Sequence, residues 1–286
     1  MQHTPTNFEQ AMLETINRAR ISPEGEFDRL IADAQAGTGV QSNITNAIRF
    51  FGVDLEALRS QLADLDPVAP LAWNTALATS ADTHGQLVID TDTQSHRLPG
   101  EARLLDRVED AGYENLSRVG ENVYAYTSDP LHGHAGFMID WGYDDEDYNG
   151  DTRYDDWNSR GDGIQDPAGH RNTIMSANYV DIGISALSET DADTRVGPWV
   201  VTHNFGATHG SNPPQLVGVF LDDADGDRFY DIGEGQGGIT VTATGSAGAF
   251  VTTTWGSGGY QMELPPAATR YSFRVRGWTG WRNTAP

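Results

Sequence analysis

Apolar residues recur at helical spacing through about the first ninety residues and at strand spacing beyond residue 180. That change of period restricts the chain to folds in which helices cover a sheet. Thr6-x-x-Glu9 reads as a capping box ahead of Phe8, Met12, Ile16 and Ala19, and Ser22-Pro23 closes that helix. Phe27, Leu30, Ile31 and Ala34 mark a second helix, Ile44–Phe51 and Leu55–Leu65 two more, and a longer one runs from Asn74 through Leu77, Ala81, His84 and Val88. Two later helices are expected at Pro130–Trp141 and Pro167–Ser176, flanking an Asp/Gly/Asn-rich insertion at 144–165. Alternation at Glu121/Val123/Ala125, Val180/Ile182/Ile184/Ala186 and Trp199/Val201/His203/Phe205 predicts half-buried strands. The fold class that follows is α+β, a sheet covered by helices over residues 1–206.

Residues 207–214, ATHGSNPP, have linker composition, and the Gly/Thr-rich segment 215–286 carries short alternating runs at Leu216–Leu221, Ile239–Ala243, Tyr260–Leu264 and Tyr271–Val275. This is the signature of a small all-β sandwich.

The chain is 286 residues long and 38% hydrophobic with seven Trp, enough for a packed core. It has no apolar run long enough to cross a bilayer, and its first residues lack the basic and apolar regions of a signal peptide. Its formal charge is −23, and every base is Arg, which excludes catalytic-lysine chemistry. Such an acid excess repels phosphate backbones, so nucleic acid is not an expected partner. The absence of Cys removes disulfides and thiolate zinc sites. Gly233-x-Gly235-x-x-Gly238 matches a dinucleotide fingerprint in letters but precedes a strand-like run rather than a helix.

His170 is the leading candidate site residue. Asp166-Pro167 reads as an N-cap followed by Pro at the first helical position, which places His170 in the first turn, where the helix dipole disfavours imidazolium. A neutral imidazole can bind a metal or accept a proton. Glu121 shares a strand face with apolar Val123 and Ala125 and needs a partner. His134 shares a helical face with Met138 and Trp141 and competes for the site, whereas His84 sits on an apolar stripe and reads as a satisfied core residue. His3, His132 and His209 have no supporting context.

The phrases Ser95-His96, Gly120-Glu121-Asn122, Trp141 followed by Asp144, and Gly169-His170-Arg171, in that order, resemble the CAP superfamily of cysteine-rich secretory, antigen 5 and pathogenesis-related proteins, over roughly residues 8 to 206. The lack of Cys points to its bacterial branch. The resemblance implies an α-β-α sandwich and an extracellular, secreted protein whose central cavity carries two histidines and two acids: His96, Glu121, an acid three residues after a helical Trp, here Asp144, and His170. Two imidazoles with one or two carboxylates suit zinc or another divalent cation.

In VFLDDADGDRFYDIGE, residues Asp223, Asp225, Asp227, Asp231 and Glu234 fall at positions 1, 3, 5, 9 and 12 of a calcium loop, with Arg228 where an EF-hand needs Gly. The phrase resembles the calcium-binding B-type repeats (SdrD B-like) of bacterial surface adhesins. The leading expectation is extracellular binding, with the resemblance implying apolar ligands such as sterols or fatty acids, or a cell-surface or matrix target. The rival readings are a metal-assisted hydrolase using His96, Glu121 and His170, and a structural surface protein with an inert pocket.

Overall fold

The computed structural model describes residues 3–142, 161–210, 213–265 and 271–276. Helix α1 (Asn7–Ile21) starts on the expected capping box: Glu9 N–H donates to Thr6 Oγ1 at 3.2 Å and Thr6 N–H to Glu9 Oε2 at 2.8 Å. Helix α2 (Glu26–Leu30) is shorter than its apolar pattern suggested. Ile31 leaves it as the first residue of strand β1 (Ile31–Asp33), which pairs with β2 (Thr38–Gly39). Helices α3 (Ser42–Phe51) and α4 (Leu55–Ala63), strand β3 (Ala72–Trp73) and the long α5 (Thr75–Thr91) follow. Then come α6 (Leu104–Asp110), β4 (Leu116–Thr127), α7 (Pro130–Ala135), α8 (Gly169–Ile174), β5 (Asp181–Ser188) and β6 (Trp199–Thr208). The helix expected over Pro130–Trp141 therefore stops at Ala135 and widens into a π turn at Gly136–Asp140.

One sheet of order β3-β5-β6-β4 divides the domain, with β4 at its edge. Alternation along the strands sends Ile182, Ile184, Val201 and Phe205 into a core shared with Phe8, Met12 and Ile16 of α1 and Phe137 of the π turn. Val123, Ala125 and Val200 turn the other way, towards Val88 of α5. Helix α5 lies directly on the sheet at Gly183, where a Cβ would fall 1.9 Å from Ala78 N. The result is the expected three-layer α+β arrangement.

Strand β6 runs on through Thr208, so the segment read as a linker begins inside the sheet. Beyond it, β7 (Gln215–Val219) pairs with β10 (Gly259–Glu263), and β8 (Thr240–Gly245) lies between β9 (Gly248–Thr253) and β11 (Tyr271–Arg276). These two small antiparallel sheets enclose Val241, Ala243, Met262 and Leu264. Strand β9 was not foreseen: its Gly- and Ala-bearing start weakens the alternation that marks a strand.

Candidate functional site

The site residues flank edge strand β4, because successive residues of a strand point to opposite faces. Glu121 faces α5 and α6, with its side chain 2% exposed. Its Oε2 accepts from Arg107 Nη2 of α6 at 2.8 Å, and its Oε1 lies 3.1 Å from His96 Nδ1. With its amide turned to satisfy both ends, Asn204 of β6 also donates to Glu121 Oε2 at 3.1 Å. His84 of α5 sets Nδ1 2.7 Å from Glu101 Oε1 and Nε2 3.9 Å from Glu121 Oε1. Arg107 Nη1 reaches Glu101 Oε1 at 3.3 Å. Two buried carboxylates thus share one guanidinium and two imidazoles, and of these groups His96, 54% exposed, is the one that meets solvent.

His84, expected to be a satisfied core residue, belongs to this cluster, and its Nε2 is buried without a hydrogen-bond partner. Glu101 and Arg107 were missed altogether. The signal available in the sequence was Arg107 at helical spacing behind Arg103, three residues before Asp110, which alone is an ordinary surface pattern.

His170 lies on the other face of β4. Asn122, next to Glu121 and turned away from it, donates through Nδ2 to His170 O at 3.1 Å. The imidazole Nδ1 is 2.6 Å from Asp140 Oδ1, while Asp140 Oδ2 accepts from His170 N–H at 2.9 Å and Arg171 N–H at 3.4 Å. Asp140 is therefore the cap of α8, the role assigned from sequence to Asp166; the helix begins at Gly169 with Ala168 at its N-cap position. Arg171 holds the π turn from beneath, donating from Nη1 to Met138 O at 3.0 Å and Ile139 O at 3.4 Å, and from Nη2 to Gln61 Oε1. Asp140 itself sits at φ 58°, left-handed backbone that a non-glycine residue adopts at a cost, in a fully buried position.

Asp144 lies outside the described residues. The acid that the structure sets beside His170 is Asp140, and the Phe137 ring packs 5.4 Å from His170. His134, the alternative pocket member, instead turns inward, its Nε2 2.7 Å from buried Glu26 Oε1. His203 of β6 packs 4.6 Å from Phe137, and burial, with the nearby His134 and His170, lowers its pKa to about 3, so it is neutral. His132 packs on Tyr124 and Trp141, and burial lowers its pKa as well. His3 is clasped by Asp82 at 3.0 Å and Glu9 at 3.7 Å, and these hydrogen bonds raise its pKa to about 10. His209 is exposed, its backbone N–H donating to Asn115 O.

The structure thus brings His96 to Glu121 and separates His170 from them across a strand. Among the described residues, groups of three side chains whose ligand atoms lie within 4.8 Å of one another are His3/Glu9/Asp82, Asp223/Asp225/Glu234 and Asp225/Asp227/Asp231. None contains His96, Glu121 or His170, and Glu121 already has both oxygens engaged. These residues do not fit a single zinc coordination shell, and no chemistry is routed through one. A buried carboxylate nonetheless fixes the orientation of the His170 imidazole.

In the acidic loop, Asp223 Oδ1 accepts from Gly226 N–H at 3.0 Å, and Glu234 Oε1 and Oε2 accept from Ala224 N–H at 2.8 Å and Asp231 N–H at 3.1 Å. Arg228 adopts φ 67°, the left-handed turn for which an EF-hand uses glycine at this position. Partial burial and the charges of Asp227, Glu234, Asp225 and Asp223 raise the Asp231 carboxyl.

A helix-covered sheet with histidine–acid pairs on either side of its edge strand defines the class. Residues 13–205 match the cysteine-rich secretory protein (CAP) family, and the chain belongs to it. No curated protein matches the chain. Among solved structures it is similar to an extracellular SCP-domain protein from Bacillus anthracis (20% identity, TM-score 0.32), covering 59% of this chain and 44% of that one. It is also similar to an outer surface protein from Borrelia burgdorferi (13%, TM-score 0.34, covering 60% and 96%). A cysteine-rich secretory protein from Staphylococcus aureus gives 14%, TM-score 0.27, covering 58% and 40%.

Proposed function

We propose that this chain is an extracellular bacterial CAP protein that acts by binding, using the polar surfaces that His96 and His170 present on either side of β4, with residues 215–286 as a calcium-stabilised, adhesin-like module. The state of Glu121 carries this reading. Its carboxylate is held by Arg107 at 2.8 Å and by His96 at 3.1 Å, so the acid fixes an exposed imidazole rather than offering lone pairs to an ion. Sterols, fatty acids and a cell-surface or matrix target are the ligand classes in view. The test is binding of radiolabelled cholesterol and palmitate, and of the protein to intact bacterial cells, by wild type and by a His96→Ala/His170→Ala variant. At least one of these is expected to bind and to weaken roughly tenfold, ~1.4 kcal/mol, in the variant. Binding that the double substitution leaves unchanged would remove the reading.

The Asp140–His170 pair supports a second reading, hydrolysis with His170 as general base. Any peptidase activity found should then disappear in His170→Ala.

Calcium is proposed to bind between Asp223, Asp225, Asp227, Asp231 and Glu234, whose mutual repulsion opposes folding of the loop. A cation bound only by the folded form adds ~2.7 kcal/mol at a hundredfold excess over its Kd. Thermal melts of the full chain should show the C-terminal transition rising with calcium, rising less with magnesium, and unresponsive in Asp225→Ala. A midpoint identical in calcium and chelator would show the loop to be a solvated turn.

A further inference from the structure

Helix α1 is buried on two sides. Phe8, Met12 and Ile16 enter the main core, and on a second stripe of Asn7, Gln10, Glu14 and Arg18, spaced three or four residues apart, Asn7, Gln10 and Arg18 touch the C-terminal module. Tyr230 Oη lies 3.5 Å from Asn7 Oδ1, and Ser257 Oγ donates to Gln10 Oε1 at 3.2 Å. Gly259 passes so close that a Cβ there would fall 2.0 Å from Gln10 Oε1. The Arg18 guanidinium sits over Phe229, 4.9 Å from the ring centre. Gln261 Nε2 donates to Trp73 O at 2.9 Å, and Trp255 packs on the main core. The seam is continuous and mostly uncharged, apart from Glu14 and Arg18.

Glu14 has no cation in direct contact among the described residues. Its Oε1 accepts from Gln10 Nε2 at 2.8 Å, while Arg18 directs Nη2 to Glu26 Oε1 of α2 at 3.5 Å. The hydroxyls of Tyr230 and of Tyr260 on β10 feel its charge from the module side. Glu234 acts on Tyr230, and Asp227 acts on Arg18, so the nearest charges from the module are negative.

We propose that docking of the C-terminal module on α1 is a proton-controlled clasp, closed when Glu14 is neutral and loosened when it ionises. Undocking would return the half-buried carboxylate fully to water, where ionisation costs nothing extra; docked, its hydrogen-bond partner is the Gln10 amide of its own helix and not a cation. Burial accordingly raises the Glu14 pKa from 4.5 to about 7, against the lowering effects of Gln10 and Arg18. A carboxyl raised in the docked state contributes docking stability that is full below pH 4.5 and is lost as pH rises through about 7. Neither tyrosine nor Arg18 changes charge in that window.

The chain has no cysteine, so Thr79→Cys on α5 and Val251→Cys on β9, both exposed, accept a donor–acceptor pair on the full-length protein. Urea titration of the transfer signal gives the opening constant at each pH. It should rise roughly thirty-fold from pH 5.5 to 8.5 in the wild-type background and stay level in Glu14→Gln. Equal opening constants at the two pH values, or a pH dependence that survives Glu14→Gln, would overturn the clasp. So would its loss in Asp231→Asn alone, which would assign the effect to the acidic loop.

Discussion

Glu121→Ala is expected to destabilise the CAP domain by about 3 kcal/mol, because it leaves the buried Arg107 guanidinium with half of its counter-charge. Arg107 bridges Glu121 at 2.8 Å and Glu101 at 3.3 Å, and its side chain is 6% exposed. Removing one carboxylate strands a desolvated cation and empties the space that Asn204 and His96 share with it. Glu101 remains, which keeps the loss at the low end of the range for a broken buried pair. In a domain of this size the melting temperature should fall on the order of 6–12 °C. Glu121→Gln keeps the shape and one acceptor and should lose less. Combining Glu121→Gln with Arg107→Met should not recover the loss, since buried Glu101 then loses the guanidinium it shares and keeps only His84. A Glu121→Ala variant that melts with the wild type would mean that the cluster is not coupled to folding, and would weaken the view of this acid as an anchor for His96.

The sequence reached the architecture through periodicity and capping. Thr6 and Glu9 announced α1, and the alternation around Ile182, Val201 and Val123 assigned each residue to the correct side of the sheet, because burial on one face enforces period two. Family-like phrases then picked out Glu121, His96 and His170. They could not show that neighbouring residues of one strand face opposite ways in the assembled site, since phrase order carries no information on which side of β4 each partner arrives. Asp140 was illegible because it meets His170, thirty positions away, from the end of a π turn that no periodicity announces. Arg107 and Glu101 were illegible for a related reason. They are satisfied by residues 14 and 17 positions away, and such pairings leave no periodic trace. The acidic loop was legible as a spacing of carboxylates, and Arg228 at φ 67° accounts for how the turn is made without the usual glycine.

Asp140→Ala should be the most damaging single substitution around His170, at about 3–4 kcal/mol. Three effects act together there. The substitution removes acceptors for His170 N–H, Arg171 N–H and His170 Nδ1, leaving buried donors at the start of α8 unpaired, each worth about 1 kcal/mol or more. It deletes the carboxylate whose charge opposes the burial that lowers the Arg171 pKa. It also places alanine at φ 58°, where aspartate is tolerated better because its short polar side chain bonds locally. Asp140→Asn separates these effects, since it keeps the volume and tolerates the backbone but removes the charge; it should cost about half as much. Chemical denaturation gives the stability, and the His170 side-chain NMR signals report whether the ring still has one fixed orientation. In Asp140→Ala those signals should broaden or split while the resonances of β5 and β6 stay in place. If the His170 signals stay sharp and stability falls by less than about 1 kcal/mol, some other group positions His170, and the assignment of Asp140 as cap of α8 and partner of the histidine fails.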